Sequence, residues 1–460
     1  MKNGRLSLHL QDLLSDNKIS ELHHLGASVN PVRMAEALTE LSPEESWRAL
    51  MALGPQDRAT VFANLGDATQ AELALSMSRQ DFAAILTHMP PDERVDLLKR
   101  IPEDRQEEVL PALAQAERED IRRLTMHPEG TVGAIMTSDY AVLPPDVPVS
   151  EALARLRREA PDKETIYYSY VVDAERKLIG FVSLKDLILA RPETLIAQVM
   201  NRDLIQARVD EDQEEAAHKI AKYNLIALPV VDSQGVLVGI VTHDDAIDVI
   251  NQEHTEDMEK LMAIAGRHQA GAYLATPVWT HFRNRVYWIT GLAAVGLVSG
   301  LIIHNFETTL MNLLILALYM PMVADTGGNT GSQSATVIVR ALALREIVPA
   351  DVVRIMWKEF RVSALLAMAL GVLSFGKVMF LSSDAEGGTG GFPLSLIGLA
   401  ISLALAIQVV TATLVGAALP LLAARMKFDP AVVASPALTT IVDITGLLIY
   451  FCTAKLILGI

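Results

Sequence analysis

The 460-residue chain has one cysteine, Cys452, which excludes an internal disulfide and a zinc site built on cysteines. Positive charge is short in the first 270 residues. The last 190 hold only nine of the 55 acidic residues and eleven of the 39 basic ones, which leaves 46 against 28 and a net of -18 before residue 271. Such an excess excludes a nucleic-acid binder and attracts cations. The start, MKNGRLSLHLQDLL, lacks the apolar core and cleavage site of a signal peptide, so this half is expected in the cytoplasm. The apolar segments further on carry no His/Glu metal-ligand motif and no nucleophile–base arrangement, so an enzyme is not expected.

What is there begins with a twelve-residue period. LSPEESWRAL, LGPQDRATVF, LGDATQAELA, MSRQDFAAIL, MPPDERVDLL and IPEDRQEEVL start at Leu41, Leu53, Leu65, Met77, Met89 and Ile101. Each has an apolar lead, a capping Ser, Gly or Pro with acidic residues, and an apolar residue nine places on. That pattern predicts one short helix per unit, stacked into a superhelix. Most of the acidic residues are then solvated helix starts.

A second repeat covers about 133–251. YVVDAERKLIGFVSLKDLI (Tyr170–Ile188) matches PVVDSQGVLVGIVTHDDAI (Pro229–Ile247), and IMTSD near Met136 matches VMNRD near Met200. Each copy reads as a strand, a helix, a hairpin ending in Ser/Thr-x-x-Asp, and a further helix. This resembles a tandem pair of cystathionine-β-synthase-type (CBS) domains. The resemblance implies a regulatory module in which Ser183/Asp186 and Thr242/Asp245 fall where a ribose is met. Ser183, Lys185 and Asp186 are then candidates for an adenine nucleotide such as ATP, while the same Ser/Thr and Asp also serve as helix caps. After the second copy, DDAIDVINQEHTEDMEKLMAIAG (Asp244–Gly266) places Asp245, Asp248, Glu253, Glu256 and Asp257 at helical spacings with few lysines. Such a face repels itself; it is either solvated or bridged by a cation.

Five apolar segments follow, at Val286–His304, Leu310–Val323 continuing to about Leu342, Val352–Leu381, Leu394–Leu422 and Ala431–Leu458. Each is near or above the roughly 20 residues that cross a bilayer. Arg283, Arg285, Arg345, Arg354, Lys358, Arg425 and Lys427 mark one set of loops, and the other set has no lysine or arginine. This puts the soluble half in the cytoplasm and the C-terminus outside a plasma (inner) membrane. Five is odd, so a symmetric pore requires two copies.

Two features interrupt the apolar spans. PMVADTGGNTGSQSATVIVRAL (Pro321–Leu342) has glycines at 327, 328 and 331 that permit departure from helix, with oxygens on Asn329, Gln333 and Thr336. It is expected to line a cavity, because amides and hydroxyls cluster there as well; close helix packing through the glycines is the alternative. In the last span Asp443 sits near mid-bilayer with Thr439 and Thr440 one turn earlier, and only Lys377 could compete as a basic partner. Such a carboxylate is either protonated or, better, holds a cation.

The order of superhelix, CBS pair, linking helix and five spans, with GGNTGSQSATVIVRAL and DPAVVASPALTTIVDITGLLIYF, resembles the MgtE family of magnesium channels or transporters. The expected protein is a multidomain membrane protein. Its parts are an all-α superhelical N-terminal domain (1–130), α/β tandem CBS domains (131–195 and 196–252), a linking helix (253–282) and a five-helix transmembrane domain (283–460). The resemblance implies a homodimer conducting Mg2+ between spans two and five. Asp443 would hold the hydrated ion, with Thr439 and Asn329 beside it. It also implies a Mg2+ sensor that closes the pore, built from Asp92 and Asp96 of the superhelix and Asp245, Asp248, Glu253, Glu256 and Asp257. Ser332 and Ser435 stand where some members have asparagine, and Asn224 where an acidic sensor residue can occur. Magnesium, which keeps its waters, suits one carboxylate among neutral oxygens. A carrier of Co2+, Mn2+ or Ni2+ and a membrane-anchored CBS sensor are the alternatives.

Overall fold

The computed structural model describes residues 3–264, 276–382, 389–433 and 436–460; Ser435, Gly266 and much of the expected linking segment lie outside them. Two compact units divide the chain, 1–251 and 252–460.

In the first unit ten helices lead. They are α1 (Asn3–Ser15), α2 (Ile19–Ser28), α3 (Pro31–Thr39), α4 (Pro43–Met51), α5 (Pro55–Ala63), α6 (Asp67–Ser76), α7 (Arg79–His88), α8 (Pro91–Arg100), α9 (Glu103–Val109) and α10 (Gln115–Thr125). The twelve-residue period sets α4 to α9, one helix per unit as expected. Leads Leu53, Leu65, Met77, Met89 and Ile101 are buried, and so are Leu50, Phe62, Ala74, Leu86 and Leu98, each nine residues after a lead. The starts are capped. Ser42 and Glu45 form a reciprocal box, Ser78 accepts from the Asp81 N–H, and proline opens α3, α4, α5 and α8.

Two equivalent sheets follow. β1 (Tyr140–Leu143), α11 (Val149–Glu159), β2 (Thr165–Val172), β3 (Leu178–Ser183) and α12 (Leu184–Leu189) make the first copy. α13 (Ile196–Val199), β4 (Ala207–Arg208), α14 (Gln213–Tyr223), β5 (Ala227–Val231), β6 (Leu237–Thr242) and α15 (His243–Leu261) make the second. In each sheet the first strand runs parallel to the second, which pairs with the third as a hairpin. The copies interlock reciprocally. A Cβ at Gly239 would lie 2.7 Å from the Met136 sulfur, and one at Gly180 2.8 Å from the Met200 sulfur. Glycine is therefore required where each copy's leading methionine crosses the other's hairpin.

The second unit contains α16 (Val278–Asn305), α17 (Glu307–Asn312), α18 (Leu314–Ala343), α19 (Val352–Leu381), α20 (Leu394–Arg425) and α21 (Pro436–Leu458). Among the described residues α16, α19 with its leading turn, α20 and α21 are long and apolar enough to cross a membrane. α18 is as long, at 30 residues, with the polar stretch at its centre. α20 lies between α18, α19 and α21 and carries the most deeply buried face, from Ile397 to Leu421. The expected departure from helix at Gly327–Gly331 does not occur, because α18 is continuous through Pro321 and all three glycines. Two of those glycines instead permit close helix packing. A Cβ at Gly327 would lie 2.5 Å from the Gln408 amide nitrogen, and Gly331 faces Gly416 so closely that a Cβ at Gly416 would meet the Gly331 carbonyl at 2.2 Å.

Candidate functional site

In the second unit α18 and α21 bring the polar groups of the spans to one place. Gly328 faces Thr439 of α21, whose methyl carbon would sit 3.8 Å from a Cβ there. Gly331 faces Val442, and Gly327 and Gly446 share one neighbour, Gln408. These contacts hold the Thr439–Gly446 stretch of α21, which includes Asp443, beside the glycine-bearing turns of α18. Asn329 is exposed on α18 and donates through Nδ2 to Asp325 Oδ2 at 3.3 Å. Asp325, also exposed, is the carboxylate whose charge reaches half-buried Asp443. Neither aspartate has an ion-pair partner among the described residues; Lys377 instead points its ammonium at the Met322 sulfur, 3.8 Å away. Thr439, through Gly328, and Asp443, through Asp325, thus lie near the face of α18 that carries Asn329. Asp325 was missed, although its i, i+4 spacing from Asn329 becomes visible once the stretch is treated as helix.

In the first unit three segments bring carboxylates together in a partly buried cluster, with Glu164 at its exposed edge. Asp92 lies in the first turn of α8, Asp245 in the first turn of α15, and Glu164 just before β2. Asp92 Oδ1 is shielded from solvent with no hydrogen-bond partner among the described residues. Burial, then the charges of Asp245, Glu164 and Glu93, hold Asp92 well above the ordinary carboxylate range. Burial likewise pushes Glu93 and Glu164 up to about 7 and Asp245 to about 6. Uncompensated charge in a poorly solvated place is the common cause. No cluster among the described residues has the geometry of three side chains ligating a metal directly. An orphaned oxygen among repelling carboxylates suits an ion that keeps part of its water shell. Glu93 and Glu164 escaped the sequence reading because their partners are distant in sequence.

Other expected sensor residues are placed differently. Asp96 pairs with Lys99 at 3.3 Å on the surface. In the second unit Glu256 is held by Lys260 at 2.8 Å, and Lys260 also reaches Asp429 at 2.7 Å. Glu253 and Asp257 share the α15 stretch with Glu256 and belong to that unit.

Both Ser/Thr-x-x-Asp pairs act as helix caps. Ser183 Oγ donates to Asp186 Oδ2 at 2.5 Å and accepts from the Asp186 N–H, and Thr242 donates to Asp245. A cleft of about 210 Å³ lies between the sheets, lined by Tyr168, Tyr170, Phe181, Asp203, Leu225 and Pro229 among others. Its aromatic walls suit a purine ring. Its lining includes no Lys185 and no other cation for a triphosphate, so the residues present fit the base and not the phosphates.

These features define a multi-pass membrane protein with a CBS-bearing extramembrane unit. Matches to known families agree. Residues 320–453 match a family described as a divalent cation transporter, 29–130 the MgtE intracellular N domain, and 132–193 and 196–252 the CBS domain. The chain is 43% identical over 345 residues to the magnesium transporter MgtE of Thermus thermophilus, covering 74% of this chain and 73% of that protein. Its fold is similar to the crystal structure of the soluble part of a magnesium transporter (TM-score 0.53, 31% identity, 55% of this chain and 99% of that one). It is also similar to the cytosolic domain of the Mg2+ channel MgtE in complex with ATP (TM-score 0.50, 35% identity, 53% and 99%). The chain belongs to the MgtE family.

Proposed function

We propose that the chain transports Mg2+ across the membrane, as one half of a homodimer, along a path lined by α18 and α21. The observation that carries this is Asp443, an ionisable side chain in the middle of an apolar helix, facing Asp325 and Asn329 with no basic partner among the described residues. A membrane anchor has no use for such a carboxylate, whereas a cation path does. One carboxylate from each helix among amides and hydroxyls binds a hydrated divalent ion loosely enough to release it. The similarity to magnesium transporters favours magnesium over cobalt, manganese or nickel. The α8–α15 carboxylates are the regulatory site. Magnesium there replaces repulsion by attraction and closes the path, with the first unit in the cytoplasm and the C-terminus outside. The family consists of transporters, and no enzymatic step is assigned. The nucleotide cleft takes a base, and no role in transport is derived for it.

The test is Mg2+ flux in proteoliposomes. Asp443→Ala should be folded and lose at least nine-tenths of the uptake, since the carboxylate that α21 contributes at mid-span is gone. Wild-type uptake by that variant would remove Asp443 from the path.

A further inference from the structure

Gln408 is the only amide or charged side chain of α20 before Arg425. It is fully buried. Its Nε2 donates to the Val442 carbonyl of α21 at 2.9 Å, an oxygen that also accepts from Thr445 Oγ1 at 3.1 Å. In a regular helix the same carbonyl takes the Gly446 N–H. The amide occupies space that two other helices leave open. A Cβ at Gly327 of α18 would lie 2.5 Å from Nε2, and one at Gly446 of α21 2.6 Å from it. The other end of the amide, Oε1, is shielded from solvent and has no hydrogen-bond partner among the described residues.

A residue that served only to glue helices would use both ends of its amide, and leucine with alanines in place of the glycines would fill the volume without an orphaned oxygen. Position explains the arrangement better. Val442 immediately precedes Asp443, and Gly446 is one turn beyond. Gly327 lies between Asp325 and Asn329. The amide therefore clamps the turn of α21 that carries the mid-membrane carboxylate against the turn of α18 that carries the facing carboxylate and amide. We infer that Gln408 is a positioning residue for the ion path: its amide, wedged between Gly327 and Gly446, sets the separation of Asp443 from the polar face of α18 and so selects the cation by its hydration shell. Selectivity of this kind follows from the number and spacing of coordinating groups. A shift of an ångström between the two turns changes whether a hydrated Mg2+ or a larger, more readily dehydrated Ca2+ is accommodated.

This inference rests on the transport reading. Its test uses the full-length protein in liposomes, with Mg2+ flux measured across a concentration series and with Ca2+ as competitor. Gln408→Met keeps length and removes the donor. Gly446→Ala leaves Gln408 in place and expels its amide. Each should raise the half-saturating Mg2+ at least fivefold while maximal flux stays within about twofold, and each should weaken the preference for Mg2+ over Ca2+. Combining Gly446→Ala with Gln408→Ala should be no worse than either alone, because both act on the same wedge. If the variants only lower the melting temperature and keep wild-type half-saturation and ion preference, the amide is packing and the inference fails. If Gln408→Met does not fold, Gly446→Ala decides by the same readout. Absence of Mg2+ flux in the wild type would overturn the transport reading itself, a result distinct from unchanged variants.

Discussion

Asp325 alters the electrostatics of the proposed ion path more than any other residue that the sequence pattern left unmarked. Asp443 alone gives each chain one negative charge among the apolar helices. Asp325, hydrogen-bonded to Asn329 and close enough for its charge to act on Asp443, gives a second. Two carboxylates concentrate divalent cations more than monovalent ones, because the attraction scales with the charge of the ion. Asp325→Asn preserves shape and the contact with Asn329, so folding should be unchanged. Half-saturating Mg2+ should rise several-fold, and discrimination against K+ should fall, while Asp443→Ala remains the more severe change. Flux in proteoliposomes at varied Mg2+ and K+ measures both. A wild-type concentration dependence in Asp325→Asn would place that carboxylate off the path.

At the level of elements, the first unit repeats a device that only the folded chain makes visible. Ser46, Arg58, Gln70, Arg94 and Gln106 are spaced at multiples of twelve, five residues after a lead. Each donates to carbonyls at or just after the end of the preceding helix: Leu38; Leu50, Met51 and Leu53; Ala63 and Leu65; Leu86 and Met89; and Ile101. Helix C-termini leave such oxygens unpaired, so in five of the six units the helix start caps the end of its predecessor; in the sixth the position is Phe82, and Arg105 of α9 reaches the Ala74 and Met77 carbonyls instead. Arg94 is the most buried of the charged members, 5% exposed. Arg94→Met should lower the stability of the first unit by about 2 kcal/mol or more, since two buried carbonyls lose a charged donor. Arg58→Met should have the smaller effect, because its guanidinium is more accessible to water. Urea unfolding of both variants checks the order; equal losses would count against the capping account. The period of the helices, the doubled strand–helix–hairpin and the apolar spans were legible because each is a local pattern of burial. The cap position was not, because Ser, Arg and Gln share a function here and no common side chain. The α18 centre was misjudged for the opposite reason. Its glycines look like breaks in isolation, and only the approach of Gly416 and Gln408 shows that they make room for neighbours within an unbroken helix.

For the whole molecule, the consequential quantity is the charge held between α8, Glu164 and α15. In the proposed regulation magnesium neutralises that group, and protons are the other cations able to do so. The sign follows from the direction of the shifts. Glu93 and Glu164 are pushed up to about 7 and Asp245 to about 6, chiefly by burial, so the compact arrangement binds protons that an opened one releases. Its stability is then complete below the ordinary carboxylate range near pH 4 and is lost as pH rises through about 6 to 7. In chelator at pH 8 the superhelical helices should therefore separate from the CBS pair, and limited proteolysis should cut there several-fold faster than at pH 5.5. Millimolar Mg2+ should abolish most of that difference, because the ion displaces the protons and supplies the same neutralisation. Asp92→Asn with Asp245→Asn removes two charges while keeping side-chain size. That variant should resist protease at pH 8 without Mg2+, and its flux should respond to Mg2+ on the regulatory side only at higher concentration. The decisive comparison is the protease rate of the wild type and the double variant across pH in chelator. A wild type equally resistant from pH 5.5 to 8, with a variant indistinguishable from it and closing at the same Mg2+ concentration, would show that these carboxylates carry no regulatory charge.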